Sequence, residues 1–258
     1  MDNQIVMLNF DQSYIYQNFY RKESVKWLDF TDMLGVHMFC EKSTAQRISE
    51  KLPDSSQGAV TFLGGGNFHY ISYLLISKIT QPFSLVLFDH HTDMLPSPSE
   101  ELISCGSWVL KALERLPALR KVILIGVNEL WQEQIPQAFQ HKLSIFAEHT
   151  SPPPQTIIDA IPTENIYISI DKDVLAMSEA RTNWDHGSLS LKDLLLMTKN
   201  FSHQKHLLGV DVCGEYPFTP QTAQHTVTKI ALQKNDLANW HILNACQKQK
   251  APLHLMTC

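Results

Sequence analysis

The stretch Leu85-Val86-Leu87-Phe88-Asp89-His90-His91-Thr92-Asp93 sets four apolar residues directly against a run of acids and imidazoles. Four residues are too few for a buried helix, and a short unbroken apolar run is typical of a strand covered on both faces. Working outward, similar runs occur at 5–10, 59–63, 122–125, 166–170 and 207–210. Helix-compatible segments at 68–79, 107–115, 153–160 and 191–200 lie between them, the alternation that βαβ crossovers produce. The pattern predicts an α/β fold, a three-layer αβα sandwich on a mostly parallel sheet. Three other runs also end in polar clusters: Gly64-Gly65-Gly66-Asn67-Phe68-His69, Asp171-Lys172-Asp173 and Asp211-Val212-Cys213-Gly214-Glu215. Open α/β sheets bind ligands beyond the carboxyl ends of their strands, so these four places are the candidate site.

The rest of the chain narrows the function classes. A length of 258 residues with 44% hydrophobic content supports a substantial core, read as a single domain over 1–258. A net charge of -5 without any basic run argues against nucleic acid or an anionic membrane as partner, and favours a small-molecule substrate. No apolar run approaches the roughly 20 residues of a membrane span, and Met1-Asp2-Asn3-Gln4 has no basic leader character, so a cytoplasmic protein is expected. Five cysteines, Cys40, Cys105, Cys213, Cys246 and Cys258, show no paired spacing and read as reduced thiols. Ser151-Pro152-Pro153-Pro154 is too short to be a linker between domains and leads into a helix. The aromatics before Cys40 follow neither helical nor strand period.

Alternate residues of an extended chain point the same way, so Asp89, His91 and Asp93 can converge while His90 and Thr92 face elsewhere. Asp171 and Asp173 share that spacing. Carboxylates gathered at adjoining strand ends repel one another unless a cation lies between them. Carboxylate with imidazole suits manganese, zinc or iron, and four carboxylates balance two divalent ions. Two such ions lower the pKa of a shared water and yield a hydroxide nucleophile near neutral pH.

The set GGGNFH, DHHTD and SIDKD resembles the arginase/agmatinase/formiminoglutamase (ureohydrolase) signature GGDH, DAHxD and SxDxD, in matching order from about Gly64 to Pro217. The resemblance implies an arginase-like sheet of about eight strands and a manganese-dependent hydrolase of guanidino, amidino or formimino C–N bonds. It implies two Mn2+ ions, other divalent metals being possible, with His69 and Asp93 on one and His91 and Asp173 on the other. Asp89 and Asp171 would bridge them. In this chain Asn67-Phe68 intervene before His69, so the loop must absorb an added residue. The family commonly forms trimers and hexamers, which implies a homo-oligomer.

The resemblance also assigns Glu215 to pair with a cationic, guanidinium-type substrate, although Asp211 to Glu215 is one residue longer than the family's D-x-x-E. Cys105 stands where arginase-like enzymes carry a proton-shuttling histidine, so a thiol participates or the proton moves elsewhere. The segment Arg181-Thr182-Asn183-Trp184-Asp185-His186-Gly187 falls where the family has a substrate loop, with Asn183 or Asp185 as binding groups and His186 as acid or base. His90 and Lys172 read as support or packing, and Asp211 as a group orienting a ligand or water. Trp131, Trp184 and Trp240 read as ordinary packing. Two rival functions are a zinc-dependent deacetylase-like amidohydrolase and a metal-binding pseudoenzyme, the second prompted by Cys105.

Overall fold

The computed structural model describes residues 4–53, 58–150 and 152–247. Residues 1–3, Ser151 and Cys258, which entered the sequence reading, lie outside them. In chain order the strands are β1 (Ile5–Asn9), β2 (Val25–Asp29), β3 (Phe39–Glu41), β4 (Val60–Gly64), β5 (Phe83–Phe88), β6 (Leu102–Ser104), β7 (Leu119–Val127), β8 (Leu143–Ala147), β9 (Asn165–Asp171) and β10 (His206–Cys213). The helices are α1 (Lys42–Lys51), α2 (Ile71–Ile76), α3 (Trp108–Arg115), α4 (Glu129–Gln132), α5 (Pro154–Asp159), α6 (Leu191–Gln204) and α7 (Thr226–Cys246).

Eight strands form one sheet in the order β2-β1-β4-β10-β9-β5-β7-β8, and every pairing in it is parallel. Strands β3 and β6 make a separate antiparallel pair. Side-chain alternation divides the core in two. Leu85 and Leu87 of β5 join Leu74 and Leu75 of α2 and Val109 of α3 on one face. Val86 and Phe88 of β5, with Ile166, Ile168 and Ile170 of β9, meet Leu194 of α6 and Ile242 of α7 on the other. Each fully buried aliphatic or aromatic side chain contributes roughly 1.5–3 kcal/mol, so a strand such as β9, buried on both faces, anchors its end firmly.

Helix starts follow local chemistry. Pro154 opens α5, as the proline run implies, and the Ser190 hydroxyl accepts from the Asp193 N–H to cap α6. The four strands that end in polar clusters, β4, β10, β9 and β5, are neighbours in the sheet. Because all run parallel, their carboxyl ends lie side by side on one edge. Cys213 aligns with Asp171, and Phe88 with Ile170. No helix among the described residues is long and apolar enough to cross a membrane.

Candidate metal centre

The polar clusters converge by routes other than simple pleating. β5 stops at Phe88, the chain bends at His90 and His91, and Asp93 adopts a positive φ of 52°. Asp171 closes β9, but Asp173 lies in a 3-10 turn (Lys172–Val174), where the Asp171 carboxylate accepts from the Asp173 N–H at 3.0 Å. The extra length before His69 is taken up by another 3-10 turn, Gly66–Phe68, which has His69 as its C-cap. Gly214 is required by position as well as by its φ of +87°. A Cβ there would lie 2.5 Å from Asp171 Oδ1 and 2.8 Å from the Lys172 backbone nitrogen.

His69 Nδ1 lies 3.0 Å from Asp93 Oδ2, 3.3 Å from Asp89 Oδ2 and 3.5 Å from Asp171 Oδ2. His91 Nδ1 lies 3.0 Å from Asp173 Oδ2 and 3.4 Å from Asp89 Oδ1. The donors form two metal-competent triads, His69–Asp89–Asp93 and Asp89–His91–Asp173, which share Asp89 through its two oxygens. A third group, His69–Asp171–Cys213, adjoins the first. Asp89 Oδ2 is buried yet accepts no hydrogen bond, an unmet acceptor that a cation would satisfy.

Outer contacts fix these groups. Trp108 Nε1 donates to Asp93 Oδ2 at 2.5 Å, and the Trp108 ring packs on His69. His69 Nε2 meets the Ser169 hydroxyl at 2.9 Å, and that hydroxyl donates to Asp211 Oδ1 at 2.6 Å. This relay orients the imidazole with Nδ1 toward the carboxylates. His91 Nε2 lies 3.0 Å from Asp185 Oδ1.

Electrostatics show a shortage of positive charge. Burial, then the Asp89 charge, pushes Asp93 up to about 6, and burial with Asp171 and Asp89 raises Asp173 well above the carboxylate range. Burial also works against charge on Asp89, but the adjacent His69 and His91 imidazoles outweigh it and hold that carboxyl low. Burial opposes charged imidazoles too, yet Cys213, Asp89 and Asp93 raise His69, while Asp173 and Asp89 raise His91. Protons therefore sit in the metal-free cluster where divalent cations fit.

A cleft of about 150 Å³ opens onto His69, Asp89, His91, Asp93, Asp171 and Asp173. Its walls include Met38, Phe39, Leu95, Cys105, Trp131 and Trp184. Trp131 and Trp184 both pack edgewise on His91, so their reading as ordinary packing residues is corrected. Trp240, by contrast, is about half exposed on α7.

Cys105 lines the cleft as a neutral thiol, pushed up to about 12 by burial and by the Asp93 charge. Glu215 is not among the residues of the cleft wall. It is buried, ion-paired to the fully buried Lys172, and accepts from Gln17 at 2.7 Å, Asn239 at 2.7 Å and Asn235 at 3.1 Å. With its oxygens so occupied it faces no substrate guanidinium, and the expected pairing is corrected. Sequence reasoning missed Lys172 as the partner because the two lie 43 positions apart.

The loop after β9 is corrected likewise. His186 Nδ1 meets the Leu175 carbonyl at 2.9 Å, and Nε2 accepts from the Thr182 N–H at 3.1 Å, so both ring nitrogens serve the loop itself. That leaves neither free for acid–base work. Asn183 reaches toward Asn67 at 3.5 Å, outside the cleft wall. Asp185 contacts His91 and His90 and orients their imidazoles.

The Arginase family model matches residues 5–233. An uncharacterised protein of Thermotoga maritima is 39% identical over 173 residues, 65% of each chain. An agmatinase of Bacillus subtilis is 25% identical over 177 residues, 65% of this chain and 60% of that one. The alignments thus span less than two thirds of either relative's length. Among solved structures, the formimidoylglutamase of Bacillus subtilis superposes with a TM-score of 0.66 at 16% identity, covering 94% of this chain and 86% of the other. With the family's model matching nearly the whole described chain, this protein belongs to the arginase family.

Proposed function

We propose that this chain is a hydrolase of C–N bonds in guanidino, amidino or formimino compounds, working with two divalent cations, manganese foremost. The observation that carries the reading is the pair of histidine–carboxylate triads sharing Asp89, whose Oδ2 has no hydrogen bond. His69 and Asp93 would hold one ion, His91 and Asp173 the other, with Asp89 and Asp171 between them. When bound, the two ions would supply an activated water and stabilise the tetrahedral intermediate formed at the attacked carbon.

The remaining work falls to the chain. Ser169 with Asp211 fixes His69, Asp185 fixes His91, and Trp108 fixes Asp93. The apolar cleft walls Met38, Phe39, Leu95, Trp131 and Trp184 would limit access of bulk water to a bound substrate. Glu215 contributes stability through Lys172, not recognition of a cationic tail.

The test is metal content per chain by elemental analysis after incubation with manganese and desalting, followed by a screen for urea, formamide and ammonia release over small guanidino, amidino and formimino compounds. Two ions per chain with turnover on one of these classes supports the reading. One zinc per chain with amide hydrolysis would favour the deacetylase-like alternative, and absence of metal would overturn both.

A further inference from the structure

Cys213 is the last residue of β10, completely buried, on the same sheet edge as the candidate ligands. Its thiol donates to Asp171 Oδ2 at 3.1 Å, and that same oxygen lies 3.5 Å from His69 Nδ1. The sulfur, an imidazole nitrogen of His69 and a carboxylate oxygen of Asp171 all lie within 4.8 Å of one another. Gly214, whose missing side chain lets the backbone run against Asp171, holds the thiol in place from the next position. A buried cysteine is more often a small hydrophobe. Cys213 instead donates its proton to a carboxylate already engaged with a candidate metal-binding histidine.

We propose that Cys213 is a thiolate ligand to the ion held by His69 and Asp171, which makes the two halves of the centre chemically unequal. This rests on the binuclear reading above. The Cys213 half offers imidazole, carboxylate and sulfur, a set that favours zinc, cobalt or iron(II) over manganese. The other half, Asp89, His91 and Asp173, offers imidazole and oxygen and has no sulfur. On metal entry the S–H proton leaves to solvent as the metal–sulfur bond forms, so the thiol becomes a thiolate with no change of oxidation state. The resulting centre takes a softer metal beside a harder one.

The experiment loads the full chain with cobalt(II) and reads its absorption spectrum. Wild type and Cys105→Ser are expected to show an intense near-ultraviolet sulfur-to-cobalt band, and Cys213→Ser to lose it while still binding cobalt. The preference of that position for zinc over manganese is expected to fall at least about tenfold in Cys213→Ser, by analogy with the loss of other groups at metal sites. Should Cys213→Ser not fold, X-ray absorption of the zinc-loaded wild type and Cys105→Ser proteins decides instead, through a sulfur neighbour at about 2.3 Å. Cobalt binding with ligand-field bands alone, a band that survives in Cys213→Ser, or a zinc shell of nitrogen and oxygen only would overturn the proposal and leave the binuclear centre standing. Failure to bind any metal would overturn both.

Discussion

Replacing Lys172 by methionine in metal-free protein isolates the buried pair on which the site rests. Lys172 is fully buried and Glu215 is 1% exposed, so the variant leaves a carboxylate in the interior without its counter-ion. Removing one partner of a buried ion pair costs about 3–5 kcal/mol. Amide donors from Gln17, Asn235 and Asn239 remain on Glu215 and place the cost at the lower end, about 3 kcal/mol. For a chain of this size that corresponds to a fall in Tm of roughly 6–12 °C. Urea unfolding followed by circular dichroism measures it, alongside Glu215→Gln and the double variant. Once Glu215 is neutral, the uncompensated charge is gone, so the double variant should be more stable than Lys172→Met alone by about 1–2 kcal/mol, within the range of contacting pairs. A cost for Lys172→Met below about 1 kcal/mol, or strict additivity in the double variant, would refute the assignment of Glu215 to Lys172.

Other predictions concern the centre directly. Asp171→Asn is expected to lower retained metal below two ions per chain and abolish turnover, read by elemental analysis and product release; full occupancy with normal turnover would remove Asp171 from the centre. Asp185→Ala, which frees His91 Nε2, should weaken metal binding about 10–100-fold with little change in stability, and a competition titration with a chelator checks it. Gly214→Ala forces a Cβ to 2.5 Å from Asp171 Oδ1 and should lower both Tm and metal occupancy, whereas an unchanged Tm would contradict the close approach. Cys213, Asp89 and Asp93 raise His69, and Asp173 and Asp89 raise His91, so protons compete with a metal for both imidazoles. Metal affinity should therefore climb with pH, by up to about tenfold per unit for each proton released, and an affinity flat across the neutral range would count against this protonation state.

The sheet was legible where strands are buried on both faces, because their apolar runs are continuous. Thus 85–88 reads as a strand found at Phe83–Phe88, and 166–170 as one found at Asn165–Asp171. β2 escaped because it is an edge strand: Val25-Lys26-Trp27-Leu28-Asp29 keeps charged residues toward solvent and has no continuous apolar run. α7 was not singled out because its buried face carries Asn235 and Asn239, polar residues whose partners, Arg181, Lys172, Gln17 and Glu215, are distant in sequence. The six candidate ligands were legible as residues adjoining apolar runs, but the means of their convergence was not. Two 3-10 turns and a left-handed Asp93 replace the expected alternation, and local spacing carries no trace of a positive φ at an aspartate. Glu215 was misread for a related reason, since which cation faces a carboxylate is decided by tertiary contact.

β10, the last strand of the described chain, lies in the middle of the sheet between β4 and β9. Apart from β10, the strands of the sheet fall into two sets, β2-β1-β4 and β9-β5-β7-β8, which β10 joins. His69 follows the first half, while Asp89, His91, Asp93, Asp171 and Asp173 follow the second. In the sheet, β10 is therefore the keystone that holds the histidine's half against the half bearing the aspartates. Truncation before β10 is then expected to promote aggregation and to abolish retention of added manganese, read by light scattering and elemental analysis.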